Sequence, residues 1–287
     1  MENDATQGVE AKERSYGMDK KKKRRLFIIF ACVIVALTIG TILVKPAANH
    51  EEVGELMKDA VLHDRNKISL FGLTDVNPAV ISAITVTGIM LVFALIVRIF
   101  VIPRFKLIPG KFQLVLESVV GYFDGLAKSN SPHRNSFLGA YVFSAGVYIF
   151  VSTIFELFGV QAVTTHGGIM SLPAPLSDIN GAIMLGCLSY TVILSGGIIS
   201  NKLRGVGKTL KEFSLPVSMS FRIFGALLSG ALVTELVYHY THLSYGLPVV
   251  IGVLFTLLHA LIQAYVLTML TALFYGEVSE PPHKHEQ

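Results

Sequence analysis

Arg222 lies within the long apolar stretch Phe213–Leu243. A permanently charged guanidinium at membrane depth costs at least ~2.5–3.5 kcal/mol even on the lenient insertion scale, so such a residue is expected to face protein or water and to perform a task. Arg222 is therefore read as the functional centre of the chain. The following apolar stretch, Leu247–Tyr275, carries Thr256, His259 and Gln263, which helical spacing places on one face as a polar stripe. Glu235 adds a carboxylate to the stretch that holds Arg222.

Other chemistries find little support. The nine histidines are scattered, with no HExxH and no paired ligand set, so neither a metal nor another cofactor is expected. Cys32 and Cys187 both sit in apolar segments and read as small packing residues. The run Gly205-Val-Gly-Lys-Thr209 resembles the end of a phosphate loop. Lys202, however, stands where that motif requires its first glycine, and no strand precedes it.

The elements that must position Arg222 follow from hydropathy. The chain is 52% hydrophobic and only 15% charged, against roughly 25% charged in an average soluble domain. An all-α integral membrane protein is expected. Six apolar segments approach or exceed the ~20 residues needed to cross a bilayer: Leu26–Val44, Ala79–Ile102, Gly139–Val160, Gly181–Ser200, Phe213–Leu243 and Leu247–Tyr275. Lys and Arg concentrate in residues 1–25, 103–138 and 201–212 and are missing from 161–180 and 244–246. By the positive-inside rule both termini are then cytoplasmic and the acid-rich stretch 45–78 lies outside. The organisation read is a basic tail (1–25), a first span (26–44), an external segment (45–78), a membrane domain (79–277) and a short tail (278–287). The first span has a second reading, because a basic run, an apolar stretch and Pro46-Ala-Ala48 also describe a cleaved signal sequence. Its length exceeds a usual signal core and favours a retained span.

Residues 103–138 are more than a connection. Phe112, Val115, Val119, Tyr122 and Leu126 recur at helical spacing, with Gln113, Glu117, Asp124 and Lys128 on another face, which predicts an amphipathic helix along the membrane interface. Gly121 and Gly125 have the spacing that permits close helix contact, or occur there by chance. The last two segments would extend ~46 Å and ~43 Å as helices, beyond a hydrocarbon layer of ~30 Å. A strongly tilted or bent antiparallel hairpin is expected, with Pro216 and Pro248 in the first turns.

Several strings, in order along the chain, resemble subunit a of the F-type ATP synthase. They are Pro109-Gly-Lys-Phe-Gln113 with Glu117 and Gly121; Ile149–Gly159, ending Glu156-Leu-Phe-Gly; and Pro175-Leu-Ser-Asp178-Ile-Asn180. The last are Ser218-Met-Ser-Phe-Arg222-Ile-Phe-Gly225, Gln263-Ala-Tyr265 and Leu270-Thr271. The resemblance covers roughly residues 75–277. It implies a non-catalytic stator subunit in an energy-transducing membrane such as a bacterial plasma membrane. Its implied partners are a ring of c subunits, peripheral-stalk b subunits, the rest of the complex and lipid, with no nucleic acid. Two offset half-channels would carry H⁺ or Na⁺ to and from the ring carboxylates.

The resemblance assigns roles residue by residue. Arg222 would meet each passing ring carboxylate, favour its ionised form and keep the half-channels apart. Gln263 would lie opposite and hydrogen-bond the guanidinium. Glu156, Asp178 and Asn180 correspond to positions of the outer channel, although both acids also suit solvated helix ends. Ser218 corresponds to a serine on the inner side, or serves packing. The helix surface at Ile223 and Ala226 is expected to graze the ring. Three positions depart from the family: Ala226, Ala231 and Thr256 stand where an asparagine, a titratable group and its partner are usual. Glu235 and His259, one turn from two of these, are candidates for relocated groups or for structural ones. A self-contained transporter with Arg222 binding an anion is the alternative function; no internal repeat supports it. An intramembrane enzyme lacks a nucleophile.

Overall fold

A computed structural model describes residues 68–70, 73–133, 135–165, 169–239 and 247–280, with short helical stretches between 24 and 39. The readings of most of the basic tail, of much of the first segment and so of its choice between span and signal, of most of the external segment, of the Ser244–Gly246 link and of the last residues lie outside the described residues. Two compact units are present, Met1–Glu51 with Leu236–Val250, and Glu52–Glu235 with Ile251–Gln287. Apart from residues 236–239 and 247–250, the second carries everything described below.

The chain opens on an antiparallel hairpin, β1 (Ile68–Leu70) and β2 (Leu73–Val76). Helix α1 (Pro78–Ile96) follows and continues through a π turn, Val97–Val101, to Arg104. Then come α2 (Lys111–Asn130), α3 (Ser136–Phe155), a second hairpin of β3 (Gln161–Val163) and β4 (Ile169–Ser171), α4 (Ile179–Lys211), α5 (Ser214–His239) and α6 (Leu247–Ser279). Among the described residues, five helices are long and apolar enough to cross a membrane: Pro78–Arg104, Ser136–Phe158, Ile179–Lys211, Ser214–Thr234 and Val250–Ser279. They are the second to sixth of the segments expected from hydropathy. The molecule is an all-α integral membrane protein with two small hairpins added.

Each helix packs one stripe and leaves apolar side chains outside. Helix α1 buries Pro78, Ala79, Ser82 and Val86 but exposes Ile84, Ile89, Leu91 and Leu95. A helix apolar all round with so little cover is solvated by lipid. The core joins Phe123 and Ala127 of α2, Leu138, Val142 and Ile149 of α3, Ile193 of α4, Met219 and Ile223 of α5, and Ala264 and Leu267 of α6.

Helix α2 forms where its amphipathic pattern predicts. Gln113 explains part of its N-terminal motif: Oε1 accepts from the Lys106 amide at 3.1 Å, and Nε2 donates to the Lys106 carbonyl at 3.0 Å and to Glu117 Oε1 at 2.8 Å. One side chain thereby ties the preceding loop to the helix. Phe112, Val115, Val119 and Tyr122 are exposed, as an interfacial helix requires, and Asp124 pairs with Lys128 at 2.6 Å. Gly121 and Gly125 meet no other helix among the described residues: a Cβ on either would find open space.

The basic stretch 201–212, expected as a loop, is mostly helix. The change of direction occurs at Lys202, whose backbone (φ 52°, ψ −131°) has the turn geometry usually taken by glycine. Residues 203–211 then run back beside the preceding turns. Tyr190 Oη donates to the Thr209 carbonyl at 3.0 Å, and Gly205 lies on the backbone of Gly197. Gly205-Val-Gly-Lys-Thr209 is thus a helical segment whose first glycine is packed away, which agrees with rejecting a phosphate loop. A Cβ on Gly205 would lie 2.9 Å from Gly197 Cα and closer still to its carbonyl, and backbone yields little. Gly205→Ala is expected to cost about 1–3 kcal/mol by overpacking and to lower the thermal midpoint of the detergent-solubilised protein. Gly207→Ala, which meets nothing within 4 Å, should leave that midpoint unchanged or slightly raised.

Candidate functional site

Helix α5 is held by a close contact at its start. Ser220 Oγ donates to the Pro216 carbonyl at 2.6 Å. A Cβ on Gly186 of α4 would strike that hydroxyl and would sit 2.8 Å from the same carbonyl, so only glycine lets the two backbones meet here. Met219, Ile223 and Leu227, at i, i+4 and i+8, fill the core side. Ser218, Phe221, Arg222, Gly225 and Ser229 consequently lie exposed on another side. Serine and glycine flank the guanidinium along the helix, and a Cβ on Gly225 would meet nothing within 4 Å. This surface can admit a neighbouring helix closely. No acidic group pairs with Arg222 among the described residues.

Ile223 is turned away from that face. It is buried against the core, and Ala226 is half-buried. Sequence adjacency to Arg222 suggested Ile223 as a ring-facing position, but a step of one residue turns about 100° around a helix. The exposed positions around Arg222 are Ser218, Phe221, Gly225 and Ser229.

Helix α6 supplies the groups behind the arginine. Gln263, 41 residues on in sequence, is buried with its Nε2 directed at the Arg222 carbonyl oxygen at 3.5 Å, the long limit for such a bond. The structure thus brings Arg222 and Gln263 together, but the amide meets the backbone where contact with the guanidinium was expected, because the side chain is packed between the helices. Gln263 Oε1 is buried without a hydrogen-bond partner among the described residues.

His259 stands one turn before Gln263, half-buried, with its ring stacked on Phe255 at a centroid distance of 5.5 Å. Its Nδ1 lies 2.8 Å from the Phe255 carbonyl oxygen. A carbonyl only accepts, so Nδ1 carries a proton and Nε2 is the nitrogen left to exchange one. Thr256, half-buried, continues the stripe. The backbone of Glu235 belongs to α5, while its side chain lies outside the described residues. Thirteen residues separate it from Arg222, ~20 Å of helix, against ~6 Å between His259 and Gln263. With Gln263 opposite Arg222 on antiparallel helices, Glu235 and His259 stand at different levels.

A second group gathers where α1 and α4 begin and α3 ends. Asp178 is the N-cap of α4: Oδ1 accepts from the Asn180 amide at 2.8 Å, while Oδ2 accepts from Asn77 Nδ2 at 2.7 Å. Asn77 is itself the N-cap of α1, its Oδ1 accepting from the Ala79 amide at 2.9 Å. Two helix starts are therefore clasped through their caps. Asn180 is exposed, and Glu156, half-buried, opens the short turn that ends α3. Asn77 escaped the sequence reading. Its signal was present, an asparagine before a proline at the head of an apolar run, the usual form of a helix N-terminus.

Residues 80–276, well over half of the chain, match the family described as ATP synthase A chain. The match encloses Arg222, Gln263, Glu235, His259, Glu156, Asp178, Asn180 and Ser218.

Proposed function

Since the chain belongs to the ATP synthase A chain family, and is thus a multi-pass, non-catalytic membrane subunit of the Fo sector, we propose that it is the stator that guides ions to and from a ring of c subunits. The observation that carries this reading is Arg222: a guanidinium exposed midway along an apolar helix, between small residues, with Gln263 against its carbonyl from behind.

An exposed cation in that setting suits a carboxylate arriving from another subunit. As a ring carboxylate nears Arg222, the positive charge favours its ionised form and drives off the bound ion. The same charge repels a cation crossing directly between the two half-channels. Gln263 holds the α5 backbone at this point without neutralising the guanidinium. On the outer side, Glu156, Asp178 and Asn180 form the polar access. Asp178 also acts as cap and clasp, so removing its carboxylate should loosen α1 from α4 as well as alter ion access. Ser218 lies one turn from Arg222 on the other side of the path, and His259 and Glu235 supply titratable groups at separate levels. The basic face is cytoplasmic, the membrane is a bacterial plasma membrane, and b subunits of the peripheral stalk hold the chain against the turning ring.

Purification of the tagged chain in mild detergent tests the assembly. It should bring down a c ring and peripheral-stalk subunits in fixed ratio. A chain that transports an anion alone in vesicles, without those partners, would establish the self-contained transporter. The access route is tested separately. His259→Ala and Glu235→Gln should each slow ion-driven turnover and move its pH profile, because each removes a titratable group from the path. Wild-type rate and profile in both variants would make them structural.

A further inference from the structure

We propose that the folded-back arm of α4, residues 203–211, is a docking surface for anionic phospholipid headgroups. The inference rests on the membrane embedding of the chain and is independent of the ion pathway proposed above.

The arm is amphipathic in a way its own fold does not use. Gly205 and Thr209 are buried on the preceding turns of α4, so they fix which sides point outward. Arg204, Lys208 and Lys211, at i, i+4 and i+7, share one exposed side, and exposed Lys202 stands at the turn. None of these four cations is in an ion pair among the described residues. The nearest carboxylate in sequence, Glu212, is half-buried at the end of the arm. Glu277 and Glu280 mark the end of α6, which Asn201 fastens by donating to the Val278 carbonyl at 2.9 Å and the Glu280 carbonyl at 2.8 Å. Beside the basic side runs an apolar edge of Leu203, 87% exposed, and Leu210, 57% exposed. Ile198 and Ile199 on the spanning part of α4 are exposed as well.

This combination selects lipid over an acidic protein. A purely electrostatic protein contact would not need two exposed leucines beside the cations. An interfacial helix needs both, an apolar edge in the acyl boundary and cations at headgroup level. Four cations in about ten residues, none of them ion-paired among the described residues, match the density that attracts anionic leaflets. Arginine adds a planar fork suited to phosphate oxygens.

The test uses the assembled complex in nanodiscs, with Cys32 and Cys187 replaced and a fluorophore on Leu203→Cys. Brominated phosphatidylglycerol should quench the label at lower mole fraction than brominated phosphatidylcholine. Each charge removed in the series Arg204→Gln, Lys208→Gln and Lys211→Gln should reduce that preference by up to about fivefold. High salt should erode it in the unsubstituted arm. If the triple variant fails to assemble, the salt titration decides alone. Equal quenching by both lipids, or a preference unmoved by salt, overturns the proposal. So does a label reached by neither lipid, which would show a protein covering the arm.

Discussion

Arg222→Ala is expected to abolish ion-driven ATP synthesis while the assembled complex and ATP hydrolysis by its soluble head persist. Assembly should survive because the side chain is exposed on α5 and fills no part of the core, where Met219, Ile223 and Leu227 do the packing. Coupling should fail because the charge itself acts. A unit charge about 4 Å from a carboxylate, at an effective dielectric of about 20, stabilises the ionised form by roughly 4 kcal/mol. That equals about three pKa units, enough to decide whether a ring site releases its ion on passing. Without the charge, ions are also free to leak between half-channels. Arg222→Lys keeps the charge but replaces a planar, delocalised fork with a compact, strongly hydrated ammonium, so synthesis should again be severely impaired. Synthesis rates in energised membrane vesicles, normalised to the amount of complex, give the readout. Normal coupled synthesis in either variant contradicts the role given to Arg222.

Much of this arrangement was legible in the sequence, for identifiable reasons. Spans of about twenty apolar residues announce themselves because lipid demands them, and five of the six expected segments appear as helices at the expected places. Arg222 stood out because its cost in such a segment is large. The pairing of Gln263 with Arg222 came from the family resemblance, and helix geometry alone would not have found it. What stayed hidden depends on contacts rather than period. Strands β1 to β4 have three or four residues each, too few for alternation to register. The reversal at Lys202 breaks no rule of composition and is fixed by Gly205 settling on Gly197. The inward turn of Ile223 required knowing which stripe of α5 meets the core, and a helix as uniformly apolar as α5 does not reveal this in its pattern. The bond from Asn77 to Asp178 joins residues 101 positions apart, beyond any local signal.

The central claim is that the exposed side of α5 around Arg222 faces a moving ring, and disulfide trapping tests it most directly. Cys32 and Cys187, both free and exposed, would first be replaced. Gly225→Cys and Ser229→Cys then place thiols on the exposed side, with open space over Gly225, and Ile223→Cys places one in the core as a control. Paired with single cysteines along the outer surface of a c subunit, Gly225→Cys and Ser229→Cys should form disulfides on oxidation, since opposing Cα atoms can come within the ~7 Å that a disulfide spans. Rotation and ion transport should stop when the bond forms and return on reduction, because stator and rotor are locked without loss of any pathway group. Ile223→Cys should not cross-link. If Gly225→Cys and Ser229→Cys fail at every c-subunit position in an intact complex, or Ile223→Cys cross-links in their place, this face of α5 does not meet a rotor.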